Sequence, residues 1–127
     1  MITPQKFFIT QARRFGFALS GIRYAIRTDK SFRLQWYGLG IVVSTILAIL
    51  MPLTRDELLF IVGTYILILI TELQNSALEY ALDHLHPDTH ENIGRSKDMA
   101  AAAVLLAGLL LLIVLGTITY SRLFGGM

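Results

Sequence analysis

Three long stretches without charge constrain this sequence more than any other feature. Residues 34–53 and 99–121 contain no charged side chain, and residues 58–71 are apolar apart from two threonines. A helix needs about 20 apolar residues to cross the hydrocarbon core of a bilayer. The first and third stretches have that length, and the helical pattern of the second continues past Glu72 toward residue 85. The sequence therefore predicts an all-α membrane protein with three transmembrane helices, over about residues 32–51, 57–85 and 96–121.

The composition favours the same fold class. Hydrophobic residues make up 54% of the chain and charged residues 16%, whereas soluble domains average roughly 25% charged residues. So few charged residues cannot cover the surface of a small soluble protein. The same composition excludes a disordered chain and a tail that binds nucleic acid. We expect one domain over residues 1–127 and no nucleic-acid partner.

The segment before the first span is basic and amphipathic. It carries seven cations against one acid, Asp29, so the positive-inside rule predicts a cytoplasmic N-terminus and a C-terminus outside. Apolar side chains recur there at helical spacing, which predicts an interfacial helix over residues 1–30 that binds membrane lipids. Phe17 points away from that apolar stripe and is free to stack on another group. The stripe comprises Phe8, Ala12, Phe15, Leu19, Ile22 and Ile26.

An acidic stripe follows the second apolar stretch. On a helix, Glu79 and Asp83 fall within about 20° of Glu72, and Asn75 lies about 60° away. Ionisable groups at a membrane boundary indicate function by default. The alternative is that these acids pair with Arg or Lys from neighbouring helices and only set the packing.

A basic segment precedes the third apolar stretch. Gly94 can form a turn, Ser96 is a plausible N-cap, and Lys97 and Asp98 would then begin the helix at the membrane surface. A helix N-terminus with a lysine favours anions, and carboxylates can hold Mg²⁺ together with substrate phosphates. The acidic stripe and this segment together indicate a nucleotide site at a membrane surface.

Other sites fit the sequence less well. The chain has no phosphate-binding Gly-rich loop, kinase catalytic loop or nucleophile elbow. The histidines near Pro87 are more typical of a solvated loop than of a zinc site, because their spacing is irregular and cysteine is absent. Four aromatic residues flank the spans as an interfacial belt would. They are Tyr24, Trp36, Tyr37 and Tyr120.

These residues resemble the prokaryotic diacylglycerol kinase family over nearly the whole chain. The similarity lies in the run from Glu72 through Asn75 to Glu79, in Asp83, and in the segment from Gly94 to Met99. Gly21–Arg23, Asp29 and Phe32–Arg33 match the N-terminal part of the family, and His90–Glu91 match the loop.

The resemblance implies a homotrimeric helical bundle in the bacterial inner membrane, with ATP and a lipid alcohol as substrates and Mg²⁺ as cofactor. It implies that Glu72 is the general base, that Asn75 and Lys97 orient the phosphates, and that Asp29 and Glu79 hold Mg²⁺. The remaining residues that it places by the nucleotide or in support are Phe17, Asp88, Thr89, His90, Asp98, Asp83 and Arg23.

Three positions depart from the family pattern. Asp29 stands where the family usually has Glu, Gln35 replaces a common Glu, and Phe17 stands in place of a usual Tyr. The sequence from Gly94 to Met99 resembles the branch that acts on diacylglycerol more than the branch that acts on undecaprenol. A small channel or scaffold without enzymatic activity is the alternative from another class.

Overall fold

The computed structural model describes residues 3–125 as four helices. α1 spans Pro4–Thr28, α2 spans Lys30–Leu50, α3 spans Arg55–Leu85 and α4 spans Glu91–Phe124. No strand occurs within these residues, so the predicted all-α class is confirmed.

α1 begins and ends where its sequence carries helix-boundary signals. The Thr3 hydroxyl caps it by accepting from the Lys6 amide, and Pro4 occupies the first turn, where its missing N–H costs nothing. The helix ends at Thr28 because Asp29 adopts an extended backbone. Along the predicted apolar stripe, Phe8 and Phe15 are exposed, whereas nearby Ala25 is buried. The helix therefore packs on the rest of the chain mainly through its C-terminal end.

α2 starts directly after Asp29 and contains a wider turn. Residues Leu34–Leu39 form a π-helical segment, a local widening that often accompanies functional sites. The Tyr65 hydroxyl of α3 donates to the Trp36 carbonyl at 2.7 Å. Gly40 lies at the same crossing, where a Cβ would come within 2.8 Å of the Tyr65 oxygen. A larger residue at position 40 would therefore displace the Tyr65 ring from its hydrogen bond with Trp36.

α3 and α4 form the most extensive helix pair in the described residues. Thr54 begins α3 with a capping box: the Thr54 hydroxyl accepts from the Glu57 backbone amide, and the Glu57 carboxylate accepts from the Thr54 backbone amide. A short loop returns the chain as α4, so the two helices run antiparallel. Their contact, together with α2, forms an apolar core that comprises Val43, Ile61, Ile68, Ala107, Leu111 and Ile118.

The start of α4 differs from the sequence expectation. The helix begins at Glu91, with His90 as its cap, instead of near residue 96. The His90 ring nitrogen Nδ1 accepts from the Asn92 amide at 3.2 Å, and Gly94 continues the helix. Ser96 is therefore not the N-cap, and Lys97 does not begin the helix. The argument that a helix N-terminus beside Lys97 attracts phosphate is wrong for this chain.

Two helical segments within residues 3–125 are long and apolar enough to cross a membrane. They are Lys30–Leu50, of 21 residues, and Glu91–Phe124, of 34 residues. Few of their apolar side chains are covered by the chain itself, so these surfaces need lipid or another protein around them. α3 is not one of the two, and the predicted span within it stays a prediction.

Arg122 joins the ends of α2, α3 and α4 at the end of the molecule away from the acidic stripe. Its guanidinium donates to the carbonyls of Leu50 and Pro52 and to the Glu57 carboxylate, the last at 3.0 Å. The backbone amide and hydroxyl of Thr54 and the Arg122 guanidinium hold the pKa of Glu57 below its usual range. The contacts of Arg122 thus hold the three helix ends together at this end of the molecule.

Candidate active site

Glu72 is the most buried charged residue of the site. It lies in the second half of α3, and only 3% of its surface is exposed. Its carboxylate accepts a hydrogen bond from the Ser31 hydroxyl at the start of α2. No lysine, arginine or histidine among residues 3–125 forms an ion pair with it. Burying a carboxyl group that has only one neutral hydrogen-bond partner costs folding free energy. A role in helix packing alone would not explain why Glu72 occupies this position.

Asp29 sits at the junction of α1 and α2. Its carboxylate caps α2 by accepting from the Phe32 amide at 3.0 Å. Burial is the largest influence on its pKa and acts to raise it. The hydrogen bonds from Ser76, Phe32 and Ser31, together with the Arg33 charge, outweigh burial and hold the pKa of Asp29 below its usual range. The Asp29 side chain is therefore an ionised, half-buried acceptor near neutral pH.

Asp29 and Glu79 line one cavity of about 840 Å³ between α1 and α3. Glu79 accepts from the Asn75 side-chain amide at 3.4 Å, one turn earlier in α3. The Asn75 Oδ1 atom is buried and has no partner among the described residues. Asp29 and Glu79 thus line the same cavity, and the Asn75 amide holds the Glu79 carboxylate from the neighbouring turn.

Lys97 and Asp83 connect α4 to this cavity. Asp83 lines the cavity and forms an ion pair with Lys97. The Lys97 ammonium is half-buried and therefore held near the cavity, although it lies in the second turn of α4. Lys30 also lines the cavity, so two cations, Lys30 and Lys97, stand against the carboxylates of Asp29, Glu79 and Asp83 and leave a formal excess of one negative charge.

The other residues that the resemblance placed by the nucleotide lie at the surface. Phe17 is 69% exposed and does not line the cavity. Arg23 and Asp98 are exposed, and so are the three loop residues Asp88, Thr89 and His90. None of these side chains lines the cavity within the described residues of one chain. His90 has a structural function, because it caps α4.

Three residues beside the site were not selected from the sequence. Ser31 contacts Glu72, and Tyr24 and Tyr80 line the cavity. Tyr24 was expected in the interfacial aromatic belt, and Ser31 lies between Asp29 and Phe32, which match the family pattern, without belonging to that match itself. The spacing of Tyr80, one residue after Glu79, is the only signal that could have drawn attention to it.

The donor set of the cavity fits Mg²⁺ in chemistry. Mg²⁺ prefers oxygen ligands and usually takes one or two carboxylates together with substrate phosphates and water. Asp29 and Glu79 offer such carboxylates to the cavity. No group of three or more metal-binding side chains occurs within residues 3–125, so protein ligands alone do not complete a metal site.

The sequence matches a known family over most of its length. A family model described as prokaryotic diacylglycerol kinase matches residues 16–119. A diacylglycerol kinase of Escherichia coli (strain K12) is 30% identical over 92 residues, covering 72% of this chain and 74% of that protein. One of Haemophilus influenzae is 29% identical over 104 residues, covering 82% and 86%. One of Pseudomonas aeruginosa is 34% identical over 92 residues, covering 72% and 73%.

The match to the family model includes Glu72, Asn75, Glu79 and Lys97. They support a lipid kinase, and together with the two apolar helices they support a bacterial membrane protein. The chain belongs to the prokaryotic diacylglycerol kinase family.

Proposed function

We propose that this protein transfers the γ-phosphate of MgATP to the hydroxyl of diacylglycerol and releases phosphatidic acid and ADP. The observation that carries the proposal is the buried Glu72 carboxyl, which has no cationic partner in the described residues. The curated relatives of the chain named above are diacylglycerol kinases. A general base for a lipid hydroxyl must lie near membrane depth, and Glu72 follows the apolar part of α3.

In this mechanism Glu72 accepts the proton of the lipid hydroxyl. The hydroxyl oxygen then forms a bond to the γ-phosphorus, and the bond from that phosphorus to the β-phosphate bridging oxygen breaks. Ser31 donates to the Glu72 carboxylate and so fixes the direction of its free lone pairs. Phosphoryl transfer needs mainly positioning and charge stabilisation, so few protein groups suffice.

The phosphates would lie in the cavity between α1 and α3. Asp29 and Glu79 would hold Mg²⁺ there, which when bound neutralises phosphate charge and allows a polyanion to approach three carboxylates. Asn75 holds Glu79 in place through its side-chain amide. Lys97 supplies a cation at the other end of the cavity and can exchange its contact with Asp83 for a phosphate oxygen.

The same proposal includes the assembly and its orientation. A third span within α3, a cytoplasmic N-terminus and a C-terminus outside would place the cavity at the inner face of the bacterial inner membrane. The exposed positions of Phe17, Asp98 and the loop residues 88–90 leave the nucleotide site open in one chain. A homotrimer, in which a neighbouring copy covers that side, would complete the site, and it would also cover apolar surface.

The proposal is tested by a phosphate-transfer assay on the purified protein. The protein is placed in mixed micelles with radiolabelled MgATP, and diacylglycerol and undecaprenol are offered in parallel. Label in phosphatidic acid is the expected result. Label only in undecaprenyl phosphate would keep the mechanism and change the substrate. No transfer by folded protein to either lipid would favour a scaffold or channel without enzymatic activity and refute the proposal.

A further inference from the structure

The wide turn of α2 is a feature that the proposed mechanism does not use. We use this name for the π-helical segment Leu34–Leu39. A π turn holds one residue more than an α turn, because its hydrogen bonds close five residues apart instead of four. The Gly40 amide, which in a regular α-helix would donate to the Trp36 carbonyl, donates to the Tyr37 carbonyl instead. The wide turn thus takes away the regular helical donor of the Trp36 carbonyl.

The Tyr65 hydroxyl of α3 replaces that donor. It donates to the Trp36 carbonyl at 2.7 Å, and it comes from the neighbouring helix instead of from the next turn of α2. An unsatisfied carbonyl is unfavourable within a segment that can cross a membrane, because lipid offers no donor. The contact needs space at Gly40, where a Cβ would come within 2.8 Å of the Tyr65 oxygen. Tyr65 and Gly40 therefore stabilise the wide turn together.

The wide turn changes which side of α2 faces α3. α2 contacts α3 before, within and after the wide turn. Ser31 precedes the wide turn, and Val43 follows it as part of the buried core. On a regular helix these two residues would lie about 120° apart, whereas with one residue taken up by the wide turn they lie about 20° apart. The extra residue therefore places Ser31 on the helix face that packs against α3, where it contacts Glu72.

The Tyr65 contact lies close enough to the site to act on it through α2. Tyr65 is seven residues before Glu72, about 10 Å along α3 and within about 20° of the same face of that helix. On α2, Trp36 follows Ser31 by five residues. The Phe32 ring, which is buried, packs on the Trp36 ring with centroids 5.8 Å apart. Packed groups thus connect the Trp36 backbone to the residue next to Ser31.

We infer that Tyr65 is a positioning residue for the proposed general base. Its hydroxyl holds the wide turn, the wide turn directs Ser31 toward α3, and Ser31 orients the Glu72 carboxyl. The inference rests on the proposed function, in which Glu72 accepts the proton of the lipid hydroxyl. Tyr65 itself contacts neither substrate nor Glu72 in this account, so its effect on the rate must pass through Ser31.

Two substitutions break the contact from opposite sides. Tyr65→Phe removes only the hydroxyl, and Gly40→Ala puts a methyl group against the hydroxyl oxygen. Each should lower kcat about 3- to 10-fold, as expected for one neutral hydrogen bond, and leave the KM for ATP within about twofold of wild type. Tyr37→Phe is the control for the first, because Tyr37 is an exposed tyrosine of the wide turn. Gly63→Ala is the control for the second, because the space beside the Gly63 Cα is open.

A double-mutant cycle separates positioning from general stability. If Tyr65 acts through Ser31, Tyr65→Phe should lower kcat by less than about twofold further once Ser31 is replaced by Ala. A hydrogen bond that only stabilises the fold would lower the free energy of unfolding equally in both backgrounds and leave the kcat of folded protein unchanged. Gly40→Ala should likewise have little further effect in Tyr65→Phe, because the oxygen that its methyl group would meet is gone.

The acceptor of the contact can be observed directly, because Trp36 is the only tryptophan of the chain. Tryptophan labelled with ¹³C at its carbonyl therefore gives a single NMR signal from this atom in the purified protein. Loss of the hydrogen bond should move that signal upfield in Tyr65→Phe and in Gly40→Ala. Tyr37→Phe should leave the signal in place.

The expected result is an upfield shift in Tyr65→Phe together with a fall of kcat that is lost in the Ser31→Ala background. An upfield shift with wild-type kcat would overturn the inference. So would an equal fall of kcat in both backgrounds, or a carbonyl signal that does not move. A folded wild type that transfers no phosphate would instead refute the proposed function, while the carbonyl signal would still report the contact.

Discussion

Removal of the Ser31 hydroxyl tests whether the contact at the centre of the site orients Glu72. The Ser31 hydroxyl is the hydrogen-bond partner of the buried Glu72 carboxyl in the described residues. A hydrogen bond to a charged group contributes about 1.5–3 kcal/mol. If this contribution is realised in the transition state, Ser31→Ala lowers kcat roughly 10- to 150-fold, since 1.36 kcal/mol corresponds to a factor of ten. The KM for ATP should change little, because Ser31 does not line the nucleotide cavity.

The assay is steady-state transfer from MgATP to diacylglycerol in mixed micelles, with kcat and both KM values determined. Ser31→Thr keeps a hydroxyl and should recover most of the lost rate. Ser44→Ala is the matched control in the same helix, because the Ser44 hydroxyl donates only to the Gly40 carbonyl of its own helix, at 2.8 Å. A kcat for Ser31→Ala within twofold of wild type, with the fold intact, would refute the reasoning.

Three other perturbations have defined outcomes. Glu79→Gln should lower kcat on the order of a hundredfold, and the control Glu57→Gln should lower it far less. Equal, small losses of kcat in the two variants would show that Glu79 is not part of the site. Asp29→Glu should keep the transfer activity but lower the free energy of unfolding by about 1 kcal/mol, because Glu caps α2 less well. Loss of activity would show that the reaction requires the shorter side chain of Asp29. Because the folded-state pKa of Glu57 lies below its usual value of 4.5, its contribution to stability is present above pH 4.5 and is lost as the pH falls through the folded-state pKa. Unfolding curves at pH 3 to 7 should show this loss in wild type and a smaller one in Arg122→Gln, and identical curves would exclude the contact as its cause.

Helical periodicity correctly predicted contacts between residues of the same helix. The spacing of Asn75 and Glu79 places them one turn apart, and their side chains are hydrogen-bonded. The absence of charge in residues 34–53 and 99–121 likewise anticipated the two helical segments that can cross a membrane. Both predictions needed only the repeat of the helix and the thickness of a bilayer.

Contacts between helices could not be predicted in this way. Ser31 reaches Glu72, 41 residues later, and Tyr24 reaches Tyr80, 56 residues later. These pairs form because of the angles at which α1 and α2 cross α3. The residue pattern within one helix does not determine such an angle. The break at Asp29 sets that angle, because its extended backbone ends α1 and its carboxylate caps α2.

The start of α4 was misjudged for a local reason. Gly94 and Ser96 are typical of helix boundaries, yet both lie inside the helix. The His90 ring caps the first turn instead, and histidine is not among the residues that usually cap a helix. The salt bridge between Glu91 and Arg95, one turn apart, adds support to this early start.

The most direct test of the central claim is the transfer rate of Glu72→Gln. The substitution keeps the size of the side chain and the contact with Ser31 but removes the proton acceptor. General-base catalysis contributes about 10²–10⁴ in rate, so kcat should fall by at least a hundredfold while MgATP still stabilises the protein against thermal unfolding. A kcat within twofold of wild type in folded protein would contradict the assignment of Glu72 as the base.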